Sequence, residues 1–287
     1  MTETKIVELE QGPIRYRDDG EGEPIVFVHG YLVDGRLWEE AAERLRAEGF
    51  RCLVPDWPMG SHAKPMNEEA DLSPPGVARI ISDFLAALDL DDVTIVGNDS
   101  GGAISQVLVT SHPERVGRLV LTNCDTEENF PPAPFGLLTK AARLPGVTPA
   151  MGLPFRIGPI RRAAFAPFAK RPIPDELSAS WMEPAAADKG VQRDLRKFTV
   201  GIDRRYTLEA AERLGSFHAP VLFAWAPEDR FFRLWRAERL AAMIPDARIE
   251  TIPDAKTFVS LDQPERLAEL IAGFMRETTP AGAAAAT

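Results

Sequence analysis

One ten-residue stretch, VTIVGNDSGG at residues 93–102, constrains the fold of this chain more than any other. Its first four residues are all β-branched and its end runs into a helix-like sequence, which is typical of a buried strand that turns sharply into a helix. Glycines two positions before and two after a residue permit the strained turn that presents a nucleophile in a cleft. Gly97 and Gly101 bracket Asp99 in this way, whereas no glycine lies two positions before Ser100. The stretch therefore predicts Asp99 as the presented residue.

The predicted position of Asp99 allows two uses of its carboxyl group. Backbone N–H groups at a helix N-terminus favour the ionised form, so we expect Asp99 to be a poor base and an oriented nucleophile toward carbon. A simpler interpretation is that Asp99 only caps the helix. The glycine spacing and the preceding strand exceed what a cap requires, which favours the nucleophile.

Outside this stretch, apolar runs of strand length alternate with helix-like segments. Residues 6–10 and 14–16 predict a hairpin, and further strands are expected at 24–29, 51–55, 118–123, 220–225 and 248–252. Such alternation is typical of a mostly parallel sheet that helices cover on both faces. Between residues 126 and 214 the chain is rich in proline and shows no convincing strand, which indicates an insertion.

The strand, glycine-bracketed Asp99 and helix resemble the α/β-hydrolase-fold family, in its aspartate-nucleophile branch that includes haloalkane dehalogenases and epoxide hydrolases. The likeness extends over nearly the whole chain except a variable middle. It implies an α/β-hydrolase fold, with a mostly parallel eight-stranded sheet, helices on both faces and an inserted helical cap. We expect residues 1–125 and 215–277 to form the core domain, residues 126–214 the cap, and residues 278–287 a disordered tail.

Composition narrows the choice of partners and cofactors. The formal net charge of −10 argues against nucleic acid and anionic membranes, and no stretch approaches the roughly 20 apolar residues of a membrane span. The first residues lack a signal pattern, so we expect a cytoplasmic monomer or homodimer that acts on a small molecule. Cys52 and Cys124 lie in apolar runs and are interpreted as buried free thiols. No histidine or cysteine spacing suits a metal, and no cofactor is expected.

The resemblance assigns roles to several residues near the predicted elbow. The backbone N–H groups of Tyr31 and Ser100 would form an oxyanion site, with the Tyr31 side chain in the pocket. His29, at the end of a predicted strand, is expected to bond within its own loop, although it lies beside the oxyanion site. The loop at residues 56–62, which contains Trp57, is expected to open toward the same edge of the sheet as Asp99.

The resemblance also implies an acid and a histidine base, and the base is missing. Asp229 follows a strand at the family's usual acid position, and Asp125 occupies an alternative acid position. The segment that normally carries the histidine is aligned by Phe258, and the histidine position then holds Thr257. Threonine cannot accept a proton near neutral pH, so an ester on Asp99 would lack a base to activate water.

Other positions also depart from the known enzymes of this branch. Dehalogenases place a tryptophan after the nucleophile and an asparagine in the HG-x slot, where this chain has Ser100 and Tyr31. The paired cap tyrosines of epoxide hydrolases have no match, because Tyr206 alone lies in the insertion. His62 is a candidate replacement base or substrate-binding residue, because its loop is expected to reach the active edge.

Three functional hypotheses remain open at this stage. The first is a hydrolase in which Asp99 attacks a small, largely apolar substrate; the second is a lyase, isomerase or cyclase in which Asp99 moves a proton. The third is a ligand-binding protein that has lost catalysis. An apolar substrate is indicated by six aromatic residues of the insertion that are candidates to line a pocket, namely Phe130, Phe135, Phe155, Phe165, Phe168 and Trp181.

Overall fold

An eight-stranded sheet forms the centre of the computed structural model, which describes residues 3–133, 135–144, 146–147 and 152–278. The order across the sheet is β1-β2-β4-β3-β5-β6-β7-β8. The strand β2 pairs antiparallel with β1 and β4, and every other pair is parallel, which confirms the predicted fold. The strands are β1 (Thr4–Leu9), β2 (Gly12–Asp19), β3 (Pro24–Val28), β4 (Arg51–Pro55), β5 (Val93–Asp99), β6 (Val116–Cys124), β7 (Val221–Trp225) and β8 (Ala247–Thr251).

Helices flank the sheet on both faces. The helix at residues 74–87 starts with two prolines, and the Ser73 hydroxyl accepts a hydrogen bond from the N–H of Gly76. The described helices are α1 (Glu39–Ala47), α2 (Pro74–Ala87), α3 (Ser100–Ser111), α4 (Gly136–Ala141), α5 (Gly158–Phe165), α6 (Asp175–Ala187), α7 (Lys189–Gly201), α8 (Arg204–Arg213), α9 (Leu234–Ala241), α10 (Val259–Asp262) and α11 (Pro264–Glu277). Short 3-10 helices lie at Gly35–Trp38, Leu153–Arg156, Ala166–Phe168 and Leu214–Ser216.

The central strand β3 shows how the sheet separates two apolar cores. Ile25 and Phe27 pack with α1 and α11 on one face, whereas Val26 and Val28 pack with α2 and α3 on the other. This division follows from the alternation of side chains along a strand. Because β3 pairs with β5, and β5 with β6, the loops after these three strands meet at one edge of the sheet.

The segment between β6 and β7, which we call the inserted helical segment (residues 126–214), contains α4 to α8. Its described residues include no strand, as the sequence indicates. The helix α8 packs against α3 of the core, and Asp194 of α7 accepts a hydrogen bond of 2.7 Å from the backbone N–H of Met66. These contacts anchor the inserted helical segment above the edge where the loops meet.

Three smaller expectations from the sequence concern the tail, the thiols and membranes. Residues 279–287 of the predicted tail lie outside the described residues, while the Thr278 hydroxyl accepts a hydrogen bond of 2.9 Å from Arg118 Nε. Cys52 and Cys124 are free and buried, as predicted. Throughout the described ranges, no helix is both long enough and apolar enough to span a membrane.

Candidate active site

Asp99 lies at the sharp turn between β5 and α3. It is the last residue of β5, and α3 begins at the next residue, Ser100. Its φ of 52° and ψ of −131° place a non-glycine residue in a strained backbone conformation. Such strain persists only where the surrounding structure enforces it, and it concentrates at functional sites. The turn thus has the presented geometry that the glycine spacing predicts.

Two glycines explain how the turn and the loop after β3 come so close together. A Cβ atom on Gly30 would lie 2.1 Å from Asp99 Oδ2, and one on Gly101 would lie 2.2 Å from the carbonyl oxygen of His29. Neither position therefore has room for a side chain. This close approach brings the backbone N–H of Tyr31 to Asp99 Oδ2, with a nitrogen–oxygen distance of 3.0 Å.

The electrostatics of Asp99 differ from the sequence-based expectation. Burial raises the pKa of its carboxyl group to about 6, although the backbone N–H groups of Tyr31 and Ser100 lower it and the charge of Asp229 raises it slightly. The expectation of a poor base was therefore wrong, because loss of hydration outweighs the N–H groups at the helix N-terminus. Asp99 can accept a proton near neutral pH as well as act as a nucleophile.

A second carboxyl group, that of Asp125, lines the same cavity as Asp99. Asp125 follows β6 directly, and its backbone N–H contacts the carbonyl oxygen of Asp99 at 3.4 Å. The residue is 1% exposed, and neither carboxyl oxygen has a hydrogen-bond partner of normal geometry within the described ranges. Burial and the charge of Asp99 raise its pKa well above the usual value, and the nearby Ser100 hydroxyl opposes this only in part.

The predicted acid Asp229 and the residue Thr257 form a closed hydrogen-bonded unit. The Thr257 hydroxyl donates to Asp229 Oδ2 at 2.7 Å, and the backbone N–H groups of Phe231 and Phe232 donate to Oδ1 at 2.7 and 3.1 Å. Both Asp229 and Thr257 are completely buried. The side chain of Asn98 donates to the carbonyl oxygen of Thr257 at 2.7 Å, which ties this loop to the turn that carries Asp99. Asp229 thus orients a hydroxyl group and not an imidazole.

The cavity above Asp99 is mostly apolar. Its volume is about 80 Å³, which exceeds the space of one water molecule. Of the aromatic residues predicted to line it, Phe135, Phe165 and Phe168 do so, whereas Phe130 and Trp181 are buried in the cores and Phe155 lines a neighbouring cavity. The complete lining is Tyr31, Asp99, Ser100, Asp125, Pro131, Pro132, Phe135, Leu138, Thr139, Phe165, Phe168, Thr199, Ile202, Phe232 and Phe258.

The inserted helical segment holds one wall of this cavity through a contact that the sequence does not reveal. The Tyr31 hydroxyl lies 2.8 Å from Thr199 Oγ1 on α7, and the Tyr31 ring stacks on Phe198. Tyr31 is therefore fixed at both ends, by this hydroxyl pair and by its backbone bond to Asp99. Nothing in the local sequence marks Thr199 as a partner for Tyr31, because 168 positions separate them.

Three residues predicted near the site have other partners in the structure. His62 Nε2 lies 3.2 Å from Asp194 Oδ2 of α7, and His62 is not among the residues that line the cavity. His29 accepts the backbone N–H of Trp57 through Nε2 at 2.7 Å, which leaves Nδ1 to donate to the carbonyl oxygen of Gly30 at 2.9 Å. The Trp57 indole N–H donates a hydrogen bond of 2.9 Å to the backbone carbonyl oxygen of Phe27. His29 and Trp57 hold the loops beneath the cavity and do not line it.

The part of the chain that the structure describes contains no cluster of side chains that could bind a metal ion. No group of three or more histidine, cysteine, aspartate or glutamate residues is arranged to hold an ion there. The polar groups in the cavity lining are the two carboxyl groups and the hydroxyl groups of Tyr31, Ser100, Thr139 and Thr199. This set can hold a substrate, attack carbon and exchange protons.

Comparison with known proteins places the chain among proteins of the same architecture. Haloalkane dehalogenase 2 of Mycobacterium tuberculosis is 28% identical over 287 aligned residues, which cover 94% of this chain and 93% of that protein. A 2-hydroxy-6-oxononadienedioate/2-hydroxy-6-oxononatrienedioate hydrolase of Dechloromonas aromatica is 24% identical over 95% of each chain. The crystal structure of haloalkane dehalogenase DatA from Agrobacterium tumefaciens C58 superposes with a TM-score of 0.77 at 20% identity, over 96% of each chain.

The family model of the alpha/beta hydrolase fold matches residues 23–264. This match begins just before β3 and ends at the start of α11, so it includes the loop of Tyr31, the turn at Asp99 and the loops of Asp125 and Asp229. Since it covers most of the sequence and agrees with the topology of the sheet, the chain belongs to the alpha/beta hydrolase fold family.

Proposed function

We propose that this protein is an enzyme in which Asp99 attacks an electrophilic carbon of a small, largely apolar substrate and forms a covalent ester. The observation that carries this proposal is the placement of the carboxyl group. The Tyr31 N–H fixes Asp99 Oδ2, and the group faces a cavity of mainly apolar side chains. An oriented carboxylate in a water-poor cavity needs little reorganisation to reach its transition state.

The family relationship supports this chemistry. The relatives include a haloalkane dehalogenase and a dienedioate hydrolase at 28% and 24% identity. Their substrates are not transferred to this chain, because Ser100 and Tyr31 replace the tryptophan and asparagine that dehalogenases of this branch use for halide. The proposed substrate class is therefore a small apolar electrophile, without a commitment to halides.

The second half of a hydrolase reaction is the step that the sequence places in doubt. Hydrolysis of an ester on Asp99 requires a base that activates water, and general base catalysis typically contributes roughly 100- to 10,000-fold. Thr257, which occupies the predicted histidine position, donates a hydrogen bond to Asp229 through its hydroxyl group and cannot serve as that base. An ester on Asp99 that no base helps to hydrolyse would persist, which makes it accessible to detection.

The test is intact-protein mass spectrometry after incubation with 1-iodobutane, since iodide leaves without needing a proton. We expect the mass of one butyl group, mapped to Asp99, and no gain in the Asp99→Asn variant. Background alkylation of thiols is limited because Cys52 and Cys124 are buried and burial raises both thiol pKa values. Absence of the adduct on Asp99 would contradict the proposal.

One observation favours a second candidate, in which Asp99 moves a proton and no ester forms. The pKa of Asp99, raised to about 6, suits a general base near neutral pH. A lyase or isomerase of this kind would not need a base that activates water. This agrees with the presence of Thr257 at the position where the family has its histidine base. A substrate that exchanges hydrogen with heavy water, without any adduct on Asp99, would favour this candidate over the first. Tight binding with neither result would favour a ligand-binding protein.

A further inference from the structure

The buried carboxyl group of Asp125 should lower the stability of the folded protein, and no structural role explains it. Both of its oxygens are buried without a hydrogen-bond partner of normal geometry among the described residues, in a cavity whose walls are mainly apolar, and the nearby Ser100 hydroxyl only partly offsets the effect of burial on the pKa of Asp125. An unsatisfied buried polar group typically costs about 1–3 kcal/mol. Most buried polar groups in folded proteins have partners, so an exception of this kind calls for a functional explanation.

The neighbourhood of Asp125 indicates what that function is. Asp125 and Asp99 line one cavity at the ends of two adjacent parallel strands, and the backbone N–H of Asp125 contacts the carbonyl oxygen of Asp99. Two neighbouring carboxyl groups cannot both ionise easily, because the first charge opposes the second. The environment separates their pKa values: that of Asp99 is about 6, and the charge of Asp99 helps to raise that of Asp125. Asp125 is thus the protonated member when Asp99 is ionised.

We propose that Asp125 is a catalytic residue that first donates a proton to a leaving oxygen of the substrate and then accepts a proton from water. This inference rests on the proposed role of Asp99 as the nucleophile. It narrows the substrates to those in which the broken bond leaves an oxygen that must be protonated, as in a strained cyclic ether. It also assigns a base to the reaction in place of the missing histidine.

In the first step, a carboxylate oxygen of Asp99 forms a bond to a ring carbon of the cyclic ether. The carbon–oxygen bond of the ring breaks, its electron pair goes to the oxygen, and this oxygen takes the proton of Asp125. The products are a hydroxyalkyl ester on Asp99 and a carboxylate on Asp125. Charge is conserved, because one carboxylate is consumed and another is formed.

In the second step, water attacks the carbonyl carbon of the ester while the Asp125 carboxylate takes one of its protons. The tetrahedral intermediate then collapses, the bond between the carbonyl carbon and the alkyl oxygen breaks, and the alkyl oxygen takes the second proton of the water from the newly formed carboxyl group of Asp99. The products are a diol, the Asp99 carboxylate and protonated Asp125, so the starting state returns. One group acting as acid and then as base follows the logic of retaining glycosidases.

An alkyl halide gives a different outcome under this mechanism. Halide leaves without a proton, so Asp125 stays protonated and has no capacity to accept a proton from water. The ester on Asp99 should then accumulate, whereas a cyclic ether should be turned over. This contrast separates the role of Asp125 from that of Asp99.

The experiment compares styrene oxide with 1-iodobutane on the wild-type protein and on the Asp125→Asn variant, which keeps the shape of the side chain. In the wild type we expect repeated turnover of styrene oxide and a stable butyl ester from 1-iodobutane. In the variant we expect ester formation from styrene oxide to slow by at least about 100-fold, and to slow far more than ester formation from 1-iodobutane. The melting temperature of the variant, compared with that of the wild type, controls for correct folding.

Each other result contradicts the inference in a recognisable way. Equal rates of ester formation from styrene oxide in the two proteins would remove Asp125 as the acid. An equal loss with both reagents would assign Asp125 a structural role. Turnover of 1-iodobutane as fast as styrene oxide in the wild type would remove Asp125 as the base. If neither reagent forms an ester on Asp99 in the wild type or in the variant, the proposed function itself is refuted.

Discussion

Replacing Thr257 by valine should destabilise the protein to an extent that depends on pH. Valine keeps the volume and branching of the buried side chain and removes the hydroxyl group that donates to Asp229 Oδ2 at 2.7 Å. Asp229 is completely buried, so water does not replace this donor. A buried hydrogen bond to a charged group is worth roughly 1.5–3 kcal/mol. We therefore expect the free energy of unfolding to fall by about 2 kcal/mol.

The sign of the pH dependence follows from the pKa of Asp229. Burial raises this pKa, and the Thr257 hydroxyl lowers it, so removal of the hydroxyl raises it further. When folding raises the pKa of a carboxyl group, the free energy of unfolding of the protein falls as the pH increases toward that raised pKa. The stability difference between variant and wild type should therefore be larger at about pH 8 than at about pH 5.

Urea unfolding at both pH values measures this difference. Thr94→Val is the matched control, because Thr94 is equally buried but its hydroxyl group has no hydrogen-bond partner among the described residues. We expect the control variant to be neutral or slightly stabilised at both pH values. Equal losses for the two variants, or a loss in Thr257→Val that does not change with pH, would refute the reasoning.

Three further predictions concern the cavity. The rate at which 1-iodobutane labels Asp99 should rise with pH through about 6, because burial raises the pKa of the attacking group to that value and only the carboxylate attacks; a flat pH–rate profile would contradict this. Asp125→Leu should raise the melting temperature by roughly 2–6 °C, since it removes an unsatisfied buried carboxyl group, and calorimetry measures the change. Thr257→His should place an imidazole beside Asp229, and we expect hydrolysis of the butyl ester on Asp99 to accelerate at least about 100-fold. Mass spectrometry measures this rate as the loss of the added mass with time. A stable ester in this variant would show that Asp229 cannot orient a base.

Local patterns in the sequence were sufficient to predict the sheet and the turn. The β-branched run before Gly97 and the glycine spacing around Asp99 depend only on neighbouring residues, and the structure has the strand, the turn and the helix in that order. The mostly parallel sheet with helices on both faces also followed from the alternation of strands and helices, which restricts the possible connections. The family match over residues 23–264 agrees with that prediction.

The contacts that define the cavity depend on residues far apart in the sequence and were not predictable. His62 pairs with Asp194 across 132 positions, and this pairing anchors the inserted helical segment instead of serving Asp99. The raised pKa of Asp99 has a similar origin, because it depends on how much of the carboxyl group the surrounding chain buries. A sequence pattern shows the N–H groups beside Asp99, but it does not show how deeply the surrounding chain buries the carboxyl group.

The most direct measurement follows oxygen from water into the protein. Wild-type protein is incubated with styrene oxide in water enriched in oxygen-18, and the peptide that contains Asp99 is then analysed by mass spectrometry. If water hydrolyses an ester on Asp99, one carboxylate oxygen of Asp99 is replaced by oxygen-18 and the peptide becomes heavier by the difference between the two isotopes. The product of the first turnover then contains no oxygen-18. Heavy oxygen in the first-turnover product with an unlabelled Asp99 peptide would mean that water attacks the substrate directly, which contradicts the covalent mechanism.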